Sequence, residues 1–228
     1  MKPEIPTIAI DVMGSDMGPE EIIIGIKKAL AEDKSEFGII VVGNEEIITP
    51  MLLRHNLIRE SRVMVYNASE VIEMDEKPIQ AIKTKKDSSM MRAIEIVKLG
   101  TASAVLSCGN TGALMAGGTI KLRTMQGIER PALGTVIPGK IKNFIFIDVG
   151  ASPDPKPESL VDNAILGANY AKIALGAKNP RVGLLSNGTE DGKGNMLVQT
   201  AHRLFKAQEG VINYGGLLEG FNLFDGQY

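Results

Sequence analysis

Tryptophan is absent and aromatic residues make up only 4% of the chain, so few flat surfaces exist for stacking exposed bases. Positive charge is not in excess either: the formal net charge of −2 removes a bulk attraction to nucleic acid. A single cysteine, Cys108, excludes an intrachain disulfide and fits a reducing, cytoplasmic compartment. No apolar run approaches the about 20 residues of a membrane-spanning helix. The start, MKPEIPTIAIDV, lacks an apolar stretch ending in a small-residue cleavage site, so no signal peptide is expected. Without export, the glycosylation patterns at Asn67 and Asn187 carry no meaning. The chain has two histidines, His55 and His202, both in expected helices far from the strand ends. A histidine triad or a zinc site would need them at those ends, so both are expected at the surface and no metal is expected.

What is present is an ordinary soluble composition, 44% apolar and 23% charged, in 228 residues, long enough for one sizeable core. Short β-branched runs alternate with longer helical patterns. The runs predict strands over 7–12, 38–42, 62–66, 103–107, 132–137, 143–148 and 181–186. They are continuous rather than alternating, as a sheet covered on both faces requires. Helices are expected over 19–32, 45–55, 78–98 with a break, 111–124, 157–176 and 195–208, with Pro19 and Pro157 as first-turn residues and Gly100 and Gly176 as stops. This alternation predicts an α/β fold, a mainly parallel sheet flanked by helices, in a single domain over 1–228.

Small polar residues gather where the expected strands end. Strand ends run into Asp11 to Asp16 with Gly14, into Ser107-Cys-Gly-Asn-Thr-Gly112, into Asp148-Val-Gly150-Ala-Ser152, and into Ser186 to Asn195 with Gly188 and Thr189. In open parallel sheets ligands sit at the carboxyl ends of the strands, and the four junctions are expected to form one polar rim. Glycine admits close backbone approach, and the amides opening the next helix favour an anion. The same residue types also cap helices and make turns.

Known phosphate motifs do not fit. GTEDGKGN has three residues between Gly188 and Gly192 and Gly194 after Lys193, whereas Walker A needs four residues and a hydroxyl side chain there. No Gly-x-Gly-x-x-Gly follows the first strand, which counts against a dinucleotide cofactor. Cys108 lies at a strand end before a helix, a setting that lowers a thiol pKa, but a lone cysteine is more often inert packing, and burial is expected. IKTKKDSSMM places Lys83, Lys85 and Lys86 before Ser88 and Ser89, either as a solvated basic face with a serine cap or as an anion site. Met90, Met91 and Met115 are expected to fill core.

Six segments in order, IAIDVMGSDMGPE, KKDSSM, SCGNTGALMAGG, IERPAL, DVGASPDPKPE and RVGLLSNGTEDGKGN, resemble the phosphate acyltransferase of bacterial phospholipid synthesis, the PlsX family, from residue 8 to about 224. The resemblance implies that inorganic phosphate attacks the thioester of an acyl carrier protein, giving acyl phosphate and the free carrier thiol. It also implies a fold similar to phosphotransacetylases and isopropylmalate-type dehydrogenases, a homodimer, and peripheral membrane contact. Phosphate is its own nucleophile in such a reaction, so the site must supply anion binding, orientation and donors to the thioester oxyanion, without a cofactor. Asn110 and Thr111 with the amides of Gly109 to Gly112 are the first choice, and Lys193, Thr189 and Asn195 with the loop at Gly188 the second. Lys86, Ser88 and Ser89 come third, for phosphate or the carrier's phosphopantetheine. Asp11, Gly14, Asp148, Gly150 and Lys156 complete the substrate-binding set.

Several positions depart from the family pattern. Met17 stands for a usual histidine, Cys108 for alanine, Ser152 for asparagine, and Ser186 and Asn187 for an asparagine followed by an apolar residue. The chain also ends where the family usually continues for about another third, through segments used for dimerisation and membrane contact. Two other functions therefore stand beside the first: phosphorolysis of another thioester, acyl-coenzyme A or an enzyme-bound acetyl group, and a non-catalytic relative that binds without turnover. A nicotinamide dehydrogenase of related fold ranks last.

Overall fold

The computed structural model describes residues 5–33 and 35–226. The chain forms two compact units, Met1–Arg123 and Thr124–Tyr228. In the first, β1 (Thr7–Asp11), α1 (Pro19–Glu32), β2 (Gly38–Gly43), α2 (Glu45–Arg54) and β3 (Val63–Asn67) are followed by α3 (Pro78–Thr84), α4 (Ser89–Lys98), β4 (Ala104–Ser107) and α5 (Thr111–Leu122). The sheet runs β3-β2-β1-β4 and every pairing is parallel.

The continuous apolar runs divide by parity. Ile10, Ile39 and Val41 pack with Ile23, Ile26, Ile48 and Leu52 of α1 and α2. Their neighbours Ala9, Ile40 and Val42 pack with Ala93 and Ile96 of α4 on the opposite face. Because side chains alternate across a strand, burying both parities takes helices on both sides, and short parallel crossovers provide them. The break expected within 78–98 falls at Lys85–Ser88, between α3 and α4. Both helices, with Met90 and Met91, pack against Ala113 of α5.

In the second unit, β5 (Gly134–Ile137) and β6 (Phe144–Ile147) form an antiparallel pair, followed by α6 (Pro157–Ala174), β7 (Arg181–Leu185), α7 (Met196–Lys206) and β8 (Asn213–Leu218). The sequence pattern does not announce β8, which pairs in parallel with β7. Its Tyr-Gly-Gly core dilutes strand propensity, and the register slips there, Val182 facing Tyr214 and Gly183 facing Gly216. Val161, Leu184, Phe205 and Leu217 anchor the core of this unit. Among the described residues no helix is long and apolar enough to cross a membrane.

Leu52 is 0% exposed and its neighbour Leu53 is 56% exposed, so the pair separates packing from propensity. Leu52→Ala is expected to lower unfolding stability by about 2–5 kcal/mol and Leu53→Ala by well under half of that, read as urea midpoints at unchanged m. Equal shifts would contradict the packing described.

Candidate active site

In the first unit the candidate residues gather at the ends of β1 and β4. Asp11 is 2% exposed, and its carboxylate is shared by two donors. The Met13 N–H donates to Oδ1 at 3.1 Å and the Ser107 hydroxyl to Oδ2 at 2.7 Å. Ser107 Oγ in turn accepts the Gly109 N–H at 3.1 Å. A buried carboxylate is tolerated only when donors satisfy it, so this chain of bonds fixes the two strand ends to one another. Gly14 and Gly109 then cross without side chains: a Cβ on Gly109 would lie 3.1 Å from the Gly14 carbonyl oxygen.

Asn110 caps α5, accepting the Ala113 N–H on Oδ1 at 2.9 Å. Its Nδ2 donates to the carbonyls of Glu73, Met74 and Glu76 at 3.3, 3.1 and 3.0 Å. The side chain is 6% exposed. An amide nitrogen carries two hydrogens, and three backbone oxygens already share them. The side chain expected to donate to a substrate oxyanion is therefore engaged by the protein itself and holds the junction. Thr111 and Gly112 are exposed at the first turn of α5, where backbone N–H groups have no intrahelical acceptor. A Cβ on Gly112 would meet Pro78 Cγ at 2.6 Å, which sets this turn close against the start of α3.

The third candidate cluster packs against the same 73–76 segment. Lys85 donates to the Val71 carbonyl at 2.6 Å and to Glu76 Oε2 at 2.7 Å, so its charge is neutralised. Lys86 remains exposed. Ser88 donates to the Lys85 carbonyl, and the Ser89 hydroxyl is buried with no hydrogen-bond partner. Asp87 organises the turn, accepting from Ser69 N–H and hydroxyl and from Arg92 Nε. The Ser69 bonds, then Arg92, hold its carboxyl down to about 2.

In the second unit Asp148 serves backbone. Oδ1 accepts from Leu133 and Ala151 at 3.0 and 2.9 Å, and Oδ2 accepts from Ser152 at 2.8 Å. These bonds shape the turn that carries Gly150. Lys156 pairs with Glu129 at 3.1 Å on an exposed surface. The 186–195 loop is tied by Asn187 Oδ1 to the Gly194 N–H and by Gln199 Nε2 to the carbonyls of Gly192 and Gly194. Asn195 caps α7 through the Val198 N–H. Thr189 and Lys193 are exposed, and the Lys193 stem crosses Gly188, whose added Cβ would lie 2.6 Å from its Cγ. Among the described residues the Lys193 ammonium makes no ion pair.

Two expectations are corrected. His202 is not at the surface: it is 4% exposed, on the face of α7 that carries Ala201 and Phe205, with its ring between Tyr214 Oη and Asp191 Oδ1. Its partner Tyr214 lies on β8, so the environment was not visible without that strand. Cys108 is not buried packing but exposed, because the turn after β4 points it outward while Gly109 and Asn110 go in. Ser107 was missed as a site residue; its place opposite Asp11 in the β1–β4 register was the available signal.

The structure is similar to EutD phosphotransacetylase from Staphylococcus aureus, with TM-score 0.66 and 20% identity over 96% of this chain and 70% of that one. It is also similar to a branched-chain phosphotransacylase from Enterococcus faecalis, with TM-score 0.61 and 21% identity over 93% and 68%.

The family described as fatty acid synthesis protein matches residues 6–228, and the chain belongs to it. Among its relatives are phosphate acyltransferases of Halothermothrix orenii, 45% identical over 96% of this chain and 65% of the relative, and of Syntrophomonas wolfei, 44% identical over 96% and 68%. The chain thus spans about two thirds of the length of these relatives.

The lowered Asp87 pKa has a defined sign. Its folded value, about 2, lies below the ordinary 3.8, so its contribution is complete above about pH 5 and fades as pH falls towards 2. Asp87→Asn is expected to separate from the parent in urea midpoint at pH 6 and to converge with it near pH 2. A gap that persists at low pH would contradict this assignment.

Proposed function

We propose that this chain carries the phosphorolytic site of an acyl-carrier-protein–phosphate acyltransferase. A phosphate oxygen attacks the thioester carbonyl carbon, the carbonyl oxygen becomes an oxyanion, and collapse breaks the C–S bond. The thiolate leaves with the carrier and takes up a proton, and acyl phosphate remains. The observation that best supports this is the β1–β4 junction. The Asp11–Ser107–Gly109 bonds and the Asn110 cap hold the first turn of α5 open, and its amides act as oxyanion donors fixed before substrate arrives. Thr111 adds a hydroxyl, and Asn110 acts as a positioning residue.

In the second unit Lys193 and Thr189 offer charge and a donor to an anion, on a loop shaped by Gly188 and Asn195. Lys86 and the Ser89 hydroxyl suit a second phosphate, such as that of the carrier's phosphopantetheine. Asp148, with Gly150, shapes its turn, and Lys156 contributes at the surface. The carrier protein and inorganic phosphate are the partners of this proposal, with a cytoplasmic homodimer resting peripherally on the membrane. The same donors serve an acyl-coenzyme A thioester, so both carriers are to be compared on one preparation.

Incubation with long-chain acyl carrier protein and phosphate is expected to release free carrier thiol in proportion to phosphate. Lys193→Ala should lower the rate at least ~10-fold mainly through the phosphate KM, and Asn110→Ala at least ~10-fold through kcat, since it misplaces the helix-start amides and a single oxyanion donor is worth about 10²-fold. Asn110→Ala should also speed hydrogen exchange at the start of α5, as loss of a cap requires. Thiol release that ignores phosphate would overturn the proposal.

A further inference from the structure

The second unit contains a cleft of about 790 Å³, a volume ordinary for a small-molecule pocket, whose walls show what it holds. It is lined by the unbroken runs 142–148 and 179–185, which include all of β6 and β7. Successive side chains point to opposite faces of a strand, so a cavity on a face meets every second residue. A cavity that meets every residue lies against the strand's edge. Among the described residues both edges are open: β6 pairs only with β5, and β7 only with β8.

The roof is α6, whose lining positions Leu160, Ala164, Gly167, Ala168 and Ala171 repeat at helical spacing and are mostly small. Open strand edges present rows of N–H and C=O groups that need partners once covered. An acyl chain would bury those groups unpaired, at a cost of about 1–3 kcal/mol each. An extended polypeptide satisfies both edges at once, and the small α6 face leaves room for its side chains.

We propose that this cleft is a strand slot, and that its occupant is an extended segment of the additional polypeptide possessed by the longer relatives, of which this chain spans 65% in the Halothermothrix orenii case. Filling it joins β5-β6 and β7-β8 into one continuous sheet under α6. Of the site residues assigned above, Asp148 alone also lines the slot.

The test is a chimera in which residues 1–228 are continued by the part of the Halothermothrix orenii phosphate acyltransferase that lies outside the match. Hydrogen exchange is followed at Phe144–Ile147 and Arg181–Leu185 in the chimera and in this chain alone. Amides of both strands are expected to exchange at least ~10-fold more slowly in the chimera, as newly paired ladder amides do. Ala168→Trp, which fills the slot, should reverse that protection while leaving β1 and β2 unchanged. Equal exchange in the two proteins would overturn the proposal. So would a palmitoyl probe that saturates the cleft of the chimera.

Discussion

The first unit depends on one buried carboxylate. Asp11 ends β1 in the interior, where an unpaired charge is costly, and its donors come from the turn beyond β1 and from the end of β4. Satisfying that charge fixes the separation of the two strand ends. With Gly14 and Gly109 passing at van der Waals distance, the chain enters α5 in one position. The Asn110 cap closes the arrangement by tying the same point to the 73–76 segment. The helix-start amides that the proposed function uses as oxyanion donors are thus placed by Asp11, Ser107 and Asn110.

The second unit applies the same principle with other parts. Asp148 gathers three backbone amides, and Asn187 and Gln199 strap the 186–195 loop. His202 adds a buried brace through Asp191, a residue that also pairs with Lys206 at 2.9 Å. Lys206, then His202, keep the Asp191 carboxyl below its ordinary value. Acidic and amide side chains serve backbone, and Lys193 and Thr189 stay exposed.

Periodicity carried most of the fold. The β-branched runs of β1 and β2 and the proline-led starts of α1 and α6 were legible because local propensity and burial agree there. β8 was not, because Gly215 and Gly216 weaken its strand signal and only pairing with β7 stabilises it. The candidate site was legible as composition at strand ends, but the contacts of its side chains were not. Asn110 looks like a donor in sequence and is a cap in space, since its carbonyl partners lie more than thirty residues away. His202 and Cys108 exchanged their expected environments for the same reason: a single side chain's direction depends on long-range packing.

The most direct test is a titration with inorganic phosphate as a tetrahedral stand-in for the thioester oxyanion, following the backbone amide resonances of Thr111 and Gly112 in the parent chain and in Ser107→Ala. If the Asp11–Ser107 joint presents those amides, the parent shows saturable shifts and the variant loses them while its sheet resonances stay in place. Absence of saturable shifts in the parent, or identical titrations in the two proteins, would contradict the account.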